Sequence, residues 1–493
     1  MSDADLTPEI EAVGAYAPRI RISAEEFEDA WGRFHAPGVA EKAVPDADED
    51  AVTMAYEAAA RALGAAERAG EEVAYLAFAT TTPPLAEEDL TVRLGGMLGV
   101  SDEATRHVFA GSTRAGTRAL DAALSAGPWS PPSRDDEADV DNRDDEADAR
   151  VGLVVAADCP RGDPDSAEEH AAGAGAAAFV LSESGDAEVL ARDEYAAEYP
   201  GVRFRERGSD ATEGLGVTSY DRRAFTETLA GAVGGLAVGE VDAAAVQAPN
   251  GKLPYRAAGS LGVETDAIRA CATVHDLGDT GAASVPLSLA TALEEGEERI
   301  LAAAYGSGAG ADALLVENRG VPAKLALDGD ESVSFAEYLR RRGDLTSGAP
   351  EGGGAYVSVP SWRRTLDQRY RLVAGRCPEC EALNFPPEGA CNACKTLVGG
   401  YEDVALSGTG VVEAATTISQ GGAPPEFAEQ QAQSGDFGVV VVALDGPDGG
   451  SVSVPSQVVG SDEVGIGDEV ETTIRRIYTQ EGVTRYGFKV RPR

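Results

Sequence analysis

Apolar residues follow two different spacings along the first 345 residues. Short continuous runs, VAYLAFAT (Val73–Thr80), VGLVVAA (Val151–Ala157) and GAAAFVLS (Gly175–Ser182), are typical of buried strands. DEDAVTMAYEAAARAL (Asp48–Leu63) and TRAGTRALDAAL carry apolar residues at helical spacing, the first behind an acidic turn. Strands that alternate with helices predict an α/β architecture with helices covering the sheet.

The alternation returns after residue 200. DAAAVQAPNGK predicts a strand and turn, GDTGAASVPLSLATALEEG a glycine turn and helix, and RILAAAYGSGAGADALLVE two strands around a glycine-rich hairpin. Near the start, IEAVGAYAPRIRI predicts one strand with a proline at its far end. We therefore expect two α/β sets without recognisable sequence repetition.

The pattern changes beyond a flexible linker at 346–360. Four cysteines fall within 361–400, and the remainder, 401–493, holds five short β-rich runs. These runs are GTGVVEAATTI, FGVVVVALDG, SVSVPSQVV, DEVETTIRRIY and RYGFKVRP. Five strands at short spacing predict a small all-β barrel such as an OB-fold.

One segment of the first region has almost no apolar residues. The stretch 131–150, PPSRDDEADVDNRDDEADAR, contains RDDEAD twice. Its composition predicts a disordered acidic surface insertion, with a binding role as the alternative.

The formal charge is strongly negative. Asp and Glu number 84 against 41 Lys and Arg, which gives −43, and only five of the basic residues are lysine. Such a surface repels nucleic acid and anionic membranes. One interpretation is a binder of basic partners; the other is adaptation to high internal salt, where a Debye length of about 3 Å screens the self-repulsion. The second interpretation predicts a halophilic protein that weakens in dilute buffer.

No run of about 18 apolar residues is present, and the acidic N-terminus does not resemble a signal peptide. We therefore expect a cytoplasmic protein without a membrane segment. In a reducing compartment, paired cysteines indicate metal more than disulfides.

Four cysteines form two Cys-x-x-Cys motifs, Cys377 with Cys380 and Cys391 with Cys394. Four thiolates complete a tetrahedral zinc shell with no open position, so the spacing predicts a structural zinc ribbon. Redox dithiols or disulfides are the alternative. Cys159 and Cys271 stand alone and are interpreted as small buried hydrophobes, not nucleophiles.

Residues 1–345 resemble archaeal hydroxymethylglutaryl-CoA synthase, a thiolase-fold enzyme. The matching stretches, in the family's order, include GAYAPRIRI, STRAGTRAL, APNGKLPYRAA, GDTGAASVPL and AAAYGSGAGADALL. Residues 361–493 are similar to the zinc-ribbon/OB-fold proteins that accompany thiolases and these synthases, in CPEC, FPP, CNAC, SGTGVV and RYGFKVRP. The resemblance implies a thiolase-like unit of two pseudo-equivalent α/β halves, fused to a rubredoxin-like zinc ribbon and an OB-fold barrel. It also implies a homodimer.

The resemblance fails at the catalytic positions. The family acylates a cysteine, removes a methyl proton with a glutamate and assists the acceptor carbonyl with a histidine. Those positions are Thr113, Thr81 and Gln247 in this chain, and the family's Gly-Asn turn has become Gly278–Asp279. A threonine hydroxyl needs a neighbouring base to attack a thioester, and neither threonine nor glutamine removes a carbon-bound proton near neutral pH. Three such changes together argue against condensation.

Other pocket features are retained. The GSGAGA turn (Gly306–Ala311) and the PNGK turn with Asn250 and Lys252 are present. By the resemblance, Asn250 and Lys252 would bind coenzyme A, with Lys252 facing a phosphate; a turn lysine paired with a carboxylate is the alternative. His275, near Asp279, is a candidate pocket base, whereas His35, His107 and His170 are interpreted as surface or structural residues.

Two functions remain open. The first is a non-catalytic acyl-CoA-binding scaffold, or a partner of a thiolase or synthase in acyl-CoA or isoprenoid-precursor metabolism. The second is an active acyltransferase or thioesterase in which Ser112 or Thr113 works with His275 or Asp279, or a hydroxymethylglutaryl-CoA synthase itself. Nucleic-acid binding by the barrel is disfavoured, since the barrel is acidic and poor in aromatics.

Overall fold

The computed structural model describes residues 7–127, 129, 150–345, 357–419, 423–424, 427–460 and 464–493. They form two compact units. The first comprises Met1–Pro45 and Asp50–Phe335, and the second comprises Asp46–Glu49 and Ala336–Arg493. The predicted insertion, apart from Arg150, and most of the predicted linker lie outside the described residues. None of the described helices is long and apolar enough to cross a membrane.

The first unit is built from fifteen described strands and ten described helices. The strands are β1 (Glu9–Tyr16), β2 (Ile20–Ser23), β3 (Glu41–Val44), β4 (Val73–Ala79), β5 (Thr105–Phe109), β6 (Val151–Asp158), β7 (Gly175–Ser182), β8 (Ala187–Ala196), β9 (Phe204–Arg205), β10 (Thr212–Glu213), β11 (Ala243–Val246), β12 (Arg299–Gly306), β13 (Gly310–Asn318), β14 (Ala323–Ala326) and β15 (Glu331–Ser332). The helices are α1 (Ala24–Trp31), α2 (Ala51–Ala66), α3 (Leu90–Leu98), α4 (Ala115–Ala126), α5 (Ala167–Ala171), α6 (Thr218–Val233), α7 (Leu253–Leu261), α8 (Thr265–Cys271), α9 (Val274–Leu277) and α10 (Ser284–Glu294). Two 3₁₀ turns span Gly70–Glu72 and Gly281–Ala283.

The main sheet contains two similar halves. Its order is β11-β12-β13-β8-β1-β7-β6-β4-β5, with β14 also paired to β1. In one half β4 runs parallel to β6, and β7 and β1 follow antiparallel. In the other half β11 runs parallel to β12, and β13 and β8 follow antiparallel. This is the predicted pair of pseudo-equivalent α/β sets.

Helices α4 and α10 are buried in the central core of this sheet. Small residues allow the close approach, and Ala119 and Ala290 are both fully buried there. A second core lies beneath α6, α7 and α8, where Phe225 and Leu229 pack against β12 and β13. The catalytic-equivalent threonine at position 113 lies just before α4, so the central core fixes its backbone.

Most predicted elements of this unit are confirmed, and one is wrong. Helix α2 begins at Ala51 because Asp50 caps it, with Oδ1 accepting from the N–H groups of Val52 and Thr53 at 2.9 and 3.0 Å. The single strand predicted for IEAVGAYAPRIRI is two strands in different sheets, β1 and β2. Pro18 lies between them, where proline cannot donate a ladder hydrogen bond.

The second unit contains a three-stranded sheet and a barrel. Its helices are α11 (Phe335–Arg341, shared with the first unit at Phe335), α12 (Val359–Arg363), α13 (Leu366–Arg371) and α14 (Ala428–Ser434). Its strands are β16 (Val373–Arg376), β17 (Leu383–Asn384), β18 (Glu402–Ala405), β19 (Thr409–Ile418), β20 (Phe437–Asp445), β21 (Ser451–Gln457), β22 (Glu469–Gln480) and β23 (Val483–Pro492).

The five C-terminal strands form one antiparallel sheet that nearly closes. The order is β21-β20-β19-β22-β23, and a parallel bridge from Val458 to Val490 joins the two ends. Alternate residues such as Val440, Val442 and Val454 fill the interior. The five predicted strands and the small all-β barrel are therefore confirmed.

Candidate functional site

Thr81 lies in a threonine loop that is held by one carboxylate. Asp158, the last residue of β6, is fully buried and accepts six hydrogen bonds. Five come from the loop after β4: the hydroxyls of Thr80, Thr81 and Thr82 and the N–H groups of Thr81 and Thr82, at 2.7–2.9 Å. The sixth comes from the N–H of Ala282 at 2.7 Å. The Thr81 hydroxyl is thus committed to Asp158, which has no lone pair left for a substrate proton.

Gln247 and Asp279 meet at the turn Gly281–Ala283. The Gln247 Nε2 donates to the Gly281 carbonyl at 2.9 Å, and Asp279 Oδ1 accepts from the Gly281 N–H at 3.0 Å. Gly281 has φ 54°, and a Cβ there would lie 2.1 Å from Asp158 Oδ2, so this position requires glycine. The structure therefore brings Thr81, Gln247 and Asp279 together around one turn.

Thr113 lies at the start of α4, next to the same turn. Its buried hydroxyl donates to the Tyr305 carbonyl at 2.7 Å. Three residues on, Gly116 allows contact with the turn, since a Cβ there would lie 2.4 Å from the Ala282 carbonyl oxygen. The threonine is close to the other family-equivalent positions, but its proton is directed to the backbone.

The glycine-rich hairpin between β12 and β13 packs on the residues beside Thr113. A Cβ on Gly306 would lie 2.1 Å from the Ser112 hydroxyl, and one on Gly310 would lie 1.8 Å from an Arg114 nitrogen. Arg114 forms a bidentate pair with Asp312, with Nε 2.9 Å from Oδ2. These two glycines therefore allow the hairpin to pack closely on Ser112 and Arg114.

The candidate base His275 is paired elsewhere. One ring nitrogen lies 2.7 Å from the Tyr255 hydroxyl, and the other lies 2.6 Å from the Gly38 carbonyl oxygen. Asp279 Oδ2 accepts a hydrogen bond from Arg203 Nη1 at 2.6 Å. Among the described residues, neither His275 nor Asp279 hydrogen-bonds Ser112 or Thr113.

The two lone cysteines fit their interpretation as unreactive thiols. Burial raises the pKa of Cys159 and of Cys271 to about 12, so neither is a thiolate near neutral pH. Cys159 follows Asp158, and its Sγ lies 3.7 Å from the Thr82 hydroxyl. Cys271 is in the central core.

The remaining histidines are surface or structural, as predicted. His35 and His107 are exposed, and His170 is fully buried. His170 Nδ1 accepts from the His35 N–H at 2.9 Å, and its ring stacks on Phe34. Burial lowers the pKa of His170 to about 4.

Asn250 and Lys252 lie in the turn before α7. Asn250 Oδ1 accepts from the N–H groups of Lys252 and Leu253, both at 3.0 Å, and so fixes the turn. Lys252 is exposed, and no described carboxylate forms an ion pair with it.

Two arginines of this shell were missed by the sequence analysis. Arg203 donates to Asp279, while Arg205 donates to the Thr81 carbonyl at 2.6 Å and to the Thr212 hydroxyl at 3.1 Å. Burial opposes the charged form of Arg203, but the Asp279 carboxylate outweighs it, and the pKa of Arg203 is raised. Both arginines come from a short hairpin about 120 residues after Thr81, and no local spacing signals this contact.

The four cysteines of the second unit converge on one point. Their Sγ atoms all lie within 4.8 Å of one another, with Cys377 and Cys394 3.9 Å apart and Cys380 and Cys391 3.6 Å apart. A tetrahedral zinc with Zn–S bonds of about 2.3 Å needs sulfur separations of about 3.8 Å. The residues therefore fit zinc, and four thiolates leave no open position for catalysis.

The two knuckles have the same backbone geometry. Glu381 N–H donates to the Cys377 carbonyl at 2.8 Å, and Lys395 N–H donates to the Cys391 carbonyl at 2.9 Å. Glu381 and Lys395 both have positive φ, 60° and 63°. Backbone N–H groups of the second knuckle lower the pKa of Cys391 to about 6, which favours the thiolate that zinc binds.

Comparison with known proteins agrees with both units. The model of "ChsH2, rubredoxin-like zinc ribbon domain" matches residues 364–397. The model of "3-Oxoacyl-[acyl-carrier-protein (ACP)] synthase III C terminal" matches residues 232–318. A hydroxymethylglutaryl-CoA synthase of Archaeoglobus fulgidus is 31% identical over 359 residues, covering 68% of this chain and 98% of that protein. This chain belongs to the hydroxymethylglutaryl-CoA synthase family.

Other relatives and solved structures support the family assignment and the fold. The hydroxymethylglutaryl-CoA synthase of Methanopyrus kandleri is 30% identical, covering 61% of this chain and 85% of that protein. The structure described as "MvaS in complex with 3-hydroxy-3-methylglutaryl coenzyme A" matches with a TM-score of 0.56 at 22% identity, covering 71% of this chain and 94% of that chain. An "HMG_CoA synthase complexed with CoA" matches with a TM-score of 0.58 at 17% identity, over the same shares of the two chains. The predicted thiolase-like fold is therefore confirmed for this synthase-family chain.

Proposed function

We propose that this synthase-family chain binds an acyl-CoA in its thiolase-like unit without condensing it. It would act as a scaffold or partner of a thiolase or synthase in acyl-CoA or isoprenoid-precursor metabolism. The observation that carries this proposal is the pairing of the catalytic-equivalent side chains within the protein. The hydroxyls of Thr81 and Thr113 donate to Asp158 and to the Tyr305 carbonyl, and the Gln247 amide donates to Gly281.

This pairing bears on both halves of the family reaction. Acylation requires a nucleophile whose proton passes to a base, and the Thr113 proton faces a backbone carbonyl, which is no base. Removal of a methyl proton requires a carboxylate with a free lone pair, and the six bonds to Asp158 use its accepting capacity. Neither half-reaction has a competent group in this shell.

Coenzyme A binding is supported by the retained frame of the pocket. Two solved structures of this fold are described as complexes with 3-hydroxy-3-methylglutaryl coenzyme A and with CoA. In this chain Asn250 fixes the turn that presents the exposed Lys252, whose ammonium suits a phosphate. The glycines at 306 and 310 keep the opposite wall close to Ser112 and Arg114.

The second unit would serve assembly. Four converging thiols suit a structural zinc, which would hold the two knuckles together through Cys377, Cys380, Cys391 and Cys394. For the thiolase-like unit, β5 supports a homodimer, because this strand ends the main sheet and its residues His107 and Val108 are exposed. An open strand edge is a surface on which a second copy can pair.

The rival proposal, an acyltransferase or thioesterase with a rearranged site, has less support. It needs His275 or Asp279 to activate Ser112 or Thr113. His275 bonds Tyr255 and Gly38, and Asp279 bonds Arg203 and Gly281.

The test is incubation of the purified protein with acetyl-CoA in molar KCl, followed by intact mass spectrometry and assay of free CoA. We expect no acetyl adduct, no CoA release above the blank, and a CoA-dependent rise in Tm that Lys252→Gln reduces. An adduct mapped to Ser112 or Thr113, CoA release without an adduct, or condensation of acetyl-CoA with acetoacetyl-CoA would overturn the non-catalytic proposal.

A further inference from the structure

Arg485 is a buried cation for which the described residues supply no partner. It lies on β23 and is only 2% exposed. No side-chain hydrogen bond or ion pair of Arg485 is present in the described part of the chain, and its enclosed Nε has no acceptor. Because burial of an uncompensated charge is strongly unfavourable, a counter-ion is expected beside this guanidinium.

A second arginine contacts the same aromatic ring, that of Trp362. The guanidinium carbons of Arg369 and Arg485 lie 3.7 and 5.6 Å from the centroid of this ring. Arg369 Nε donates to the Thr365 hydroxyl at 2.8 Å, and no described carboxylate lies within ion-pair distance of Arg369. Burial lowers the pKa of Arg369, and the charge of Arg485 acts in the same direction. Two positive charges on one indole ring therefore lack a neighbouring carboxylate among the described residues.

A shortage of acidic residues does not explain this arrangement. The chain has 84 Asp and Glu against 41 Lys and Arg. Arg371, on the same helix as Arg369, pairs with Asp367 at 2.6 Å, and Arg376 pairs with Asp448 at 2.5 Å. The neighbouring arginines thus have carboxylate partners, whereas the two arginines at Trp362 have none in the described part of the chain.

The terminal nitrogens of Arg485 are accessible, but only to a small group. Nη1 and Nη2 also have no acceptor among the described residues, and unlike Nε they are not enclosed. The indole N–H of Trp362 has the same two properties. Because Arg485 and Trp362 are 2% and 6% exposed, the opening at these donors is narrow. The cluster therefore fits a small anion better than a peptide carboxylate or a phosphate ester, whose substituents need more room.

We propose that Arg485, Arg369 and the indole N–H of Trp362 form a binding site for a small inorganic anion such as chloride. Arg485 donates to the anion through its terminal N–H groups, and Arg369 adds a second positive charge. The anion neutralises the buried charge and, since it binds only the folded protein, stabilises the second unit. The proposal does not rest on acyl-CoA binding, because all three residues belong to the second unit.

The test titrates iodide into the full-length protein in potassium gluconate, with the total ionic strength held constant. Iodide quenches tryptophan fluorescence on contact, and Trp362 is one of three tryptophans in the chain. The parent protein carries Trp31→Phe and Trp129→Phe, so that Trp362 is the only tryptophan fluorophore. The variants in this parent are Arg485→Gln and, as a matched control, Arg371→Gln, which removes an exposed arginine of α13. Circular dichroism and bound zinc report whether each protein is folded.

We expect the quenching of the parent protein to saturate, because bound iodide lies beside Trp362, and added chloride should reverse it by competition. Arg485→Gln should weaken iodide binding at least about tenfold, since a hydrogen bond to a charged group is lost. Arg371→Gln should leave the iodide affinity unchanged. Arg369→Gln, at a half-buried position, should weaken binding by a smaller factor than Arg485→Gln.

Quenching that rises linearly with iodide and does not saturate would overturn the proposal. Equal iodide affinity in Arg485→Gln and in the parent would also overturn it, because the iodide would then bind elsewhere. If acetate or inorganic phosphate competes as strongly as chloride, the site accepts larger anions and the assignment to a small anion is wrong. If Arg485→Gln does not fold, Arg369→Gln takes its place, and an unchanged iodide affinity in that variant would overturn the proposal.

Discussion

The zinc ribbon and the catalytic-equivalent shell differ in where their polar side chains find partners. In the ribbon, four thiols converge within 4.8 Å, a geometry that a metal ion completes. In the shell, the hydroxyls of Thr81 and Thr113 and the amide of Gln247 donate to protein oxygens. Convergent groups indicate a ligand, whereas side chains satisfied by the protein indicate a structural role.

The shell nevertheless keeps the backbone of a pocket. Gly116, Gly281 and Gly306 each allow an approach that a Cβ would prevent. The comparison therefore separates shape from chemistry: close backbone packing shapes the shell, whose three side chains bond protein oxygens, while the ribbon presents four convergent thiols. Four experiments test this separation, from the largest expected effect to the smallest.

Loss of a ribbon thiol should have the largest effect. Cys391→Ser removes one of four ligands, and because structural zinc contributes on the order of 10 kcal/mol to folding, we expect the ribbon to unfold. The measurement is bound zinc per chain by plasma mass spectrometry, together with proteolysis of the C-terminal unit. Cys159→Ser, outside the cluster, should retain one zinc; equal zinc in both variants would refute a four-thiolate site.

Asp158→Asn should destabilise the thiolase-like unit by about 3 kcal/mol. The amide nitrogen would face donors that now bond a carboxylate oxygen, which leaves buried polar groups unsatisfied. Urea unfolding in molar KCl measures the change. The control Asp163→Asn alters an exposed carboxylate of the following loop and should change stability by less than about 0.5 kcal/mol. Similar stability of the two variants would contradict the role of Asp158 as the centre of the shell.

Acidification should weaken the thiolase-like unit, which holds all four histidines, by up to about 3 kcal/mol. Burial lowers the pKa of His170 to about 4, whereas the unfolded imidazole titrates near 6.5. Between pH 6.5 and pH 4 the His170 imidazole takes up a proton in the unfolded chain but not in the folded chain. The free energy of unfolding therefore falls progressively from pH 6.5 to pH 4.

Urea unfolding at pH 7, 6, 5 and 4 measures this slope. Lys42, Glu169 and Asp165 surround the imidazole, and their own titration would remain in a variant that lacks it. We expect His170→Phe to flatten the pH dependence and His107→Gln, at an exposed site, to leave it unchanged. If the free energy of unfolding of His170→Phe depends on pH as in the wild-type protein, the loss of stability would be due to the carboxylates.

Gln247→Leu should have the smallest effect, within about 1 kcal/mol. The change removes the bond to the Gly281 carbonyl but also removes the buried Oε1, which has no hydrogen-bond partner among the described residues. Gln247→Glu buries a charge of similar shape and should cost several kcal/mol. A large loss in the leucine variant, measured by urea unfolding, would show that the amide supports the shell.

Local sequence patterns predicted most of the strands and helices of the fold. Continuous apolar runs predicted β4, β6 and β7, because a strand that is buried in a sheet covered by helices has apolar residues on both faces. Short β-rich runs predicted the five barrel strands, which bury alternate residues. The prediction was wrong at Pro18, because the single predicted strand is two strands, β1 and β2, in separate sheets. A proline at the end of a run does not show which sheet the next residues will join.

The sequence by itself determined the ribbon, because each knuckle holds its two ligands three residues apart and the local turn sets their geometry. The resemblance to the family also predicted that Thr81, Thr113 and Gln247 occupy its catalytic positions. Only the tertiary structure decided where the protons of those side chains point, and that Asp158, Arg203 and Arg205 surround them. These contacts join residues 34 to 192 positions apart, and such contacts are set by sheet order and core packing, which no local spacing encodes.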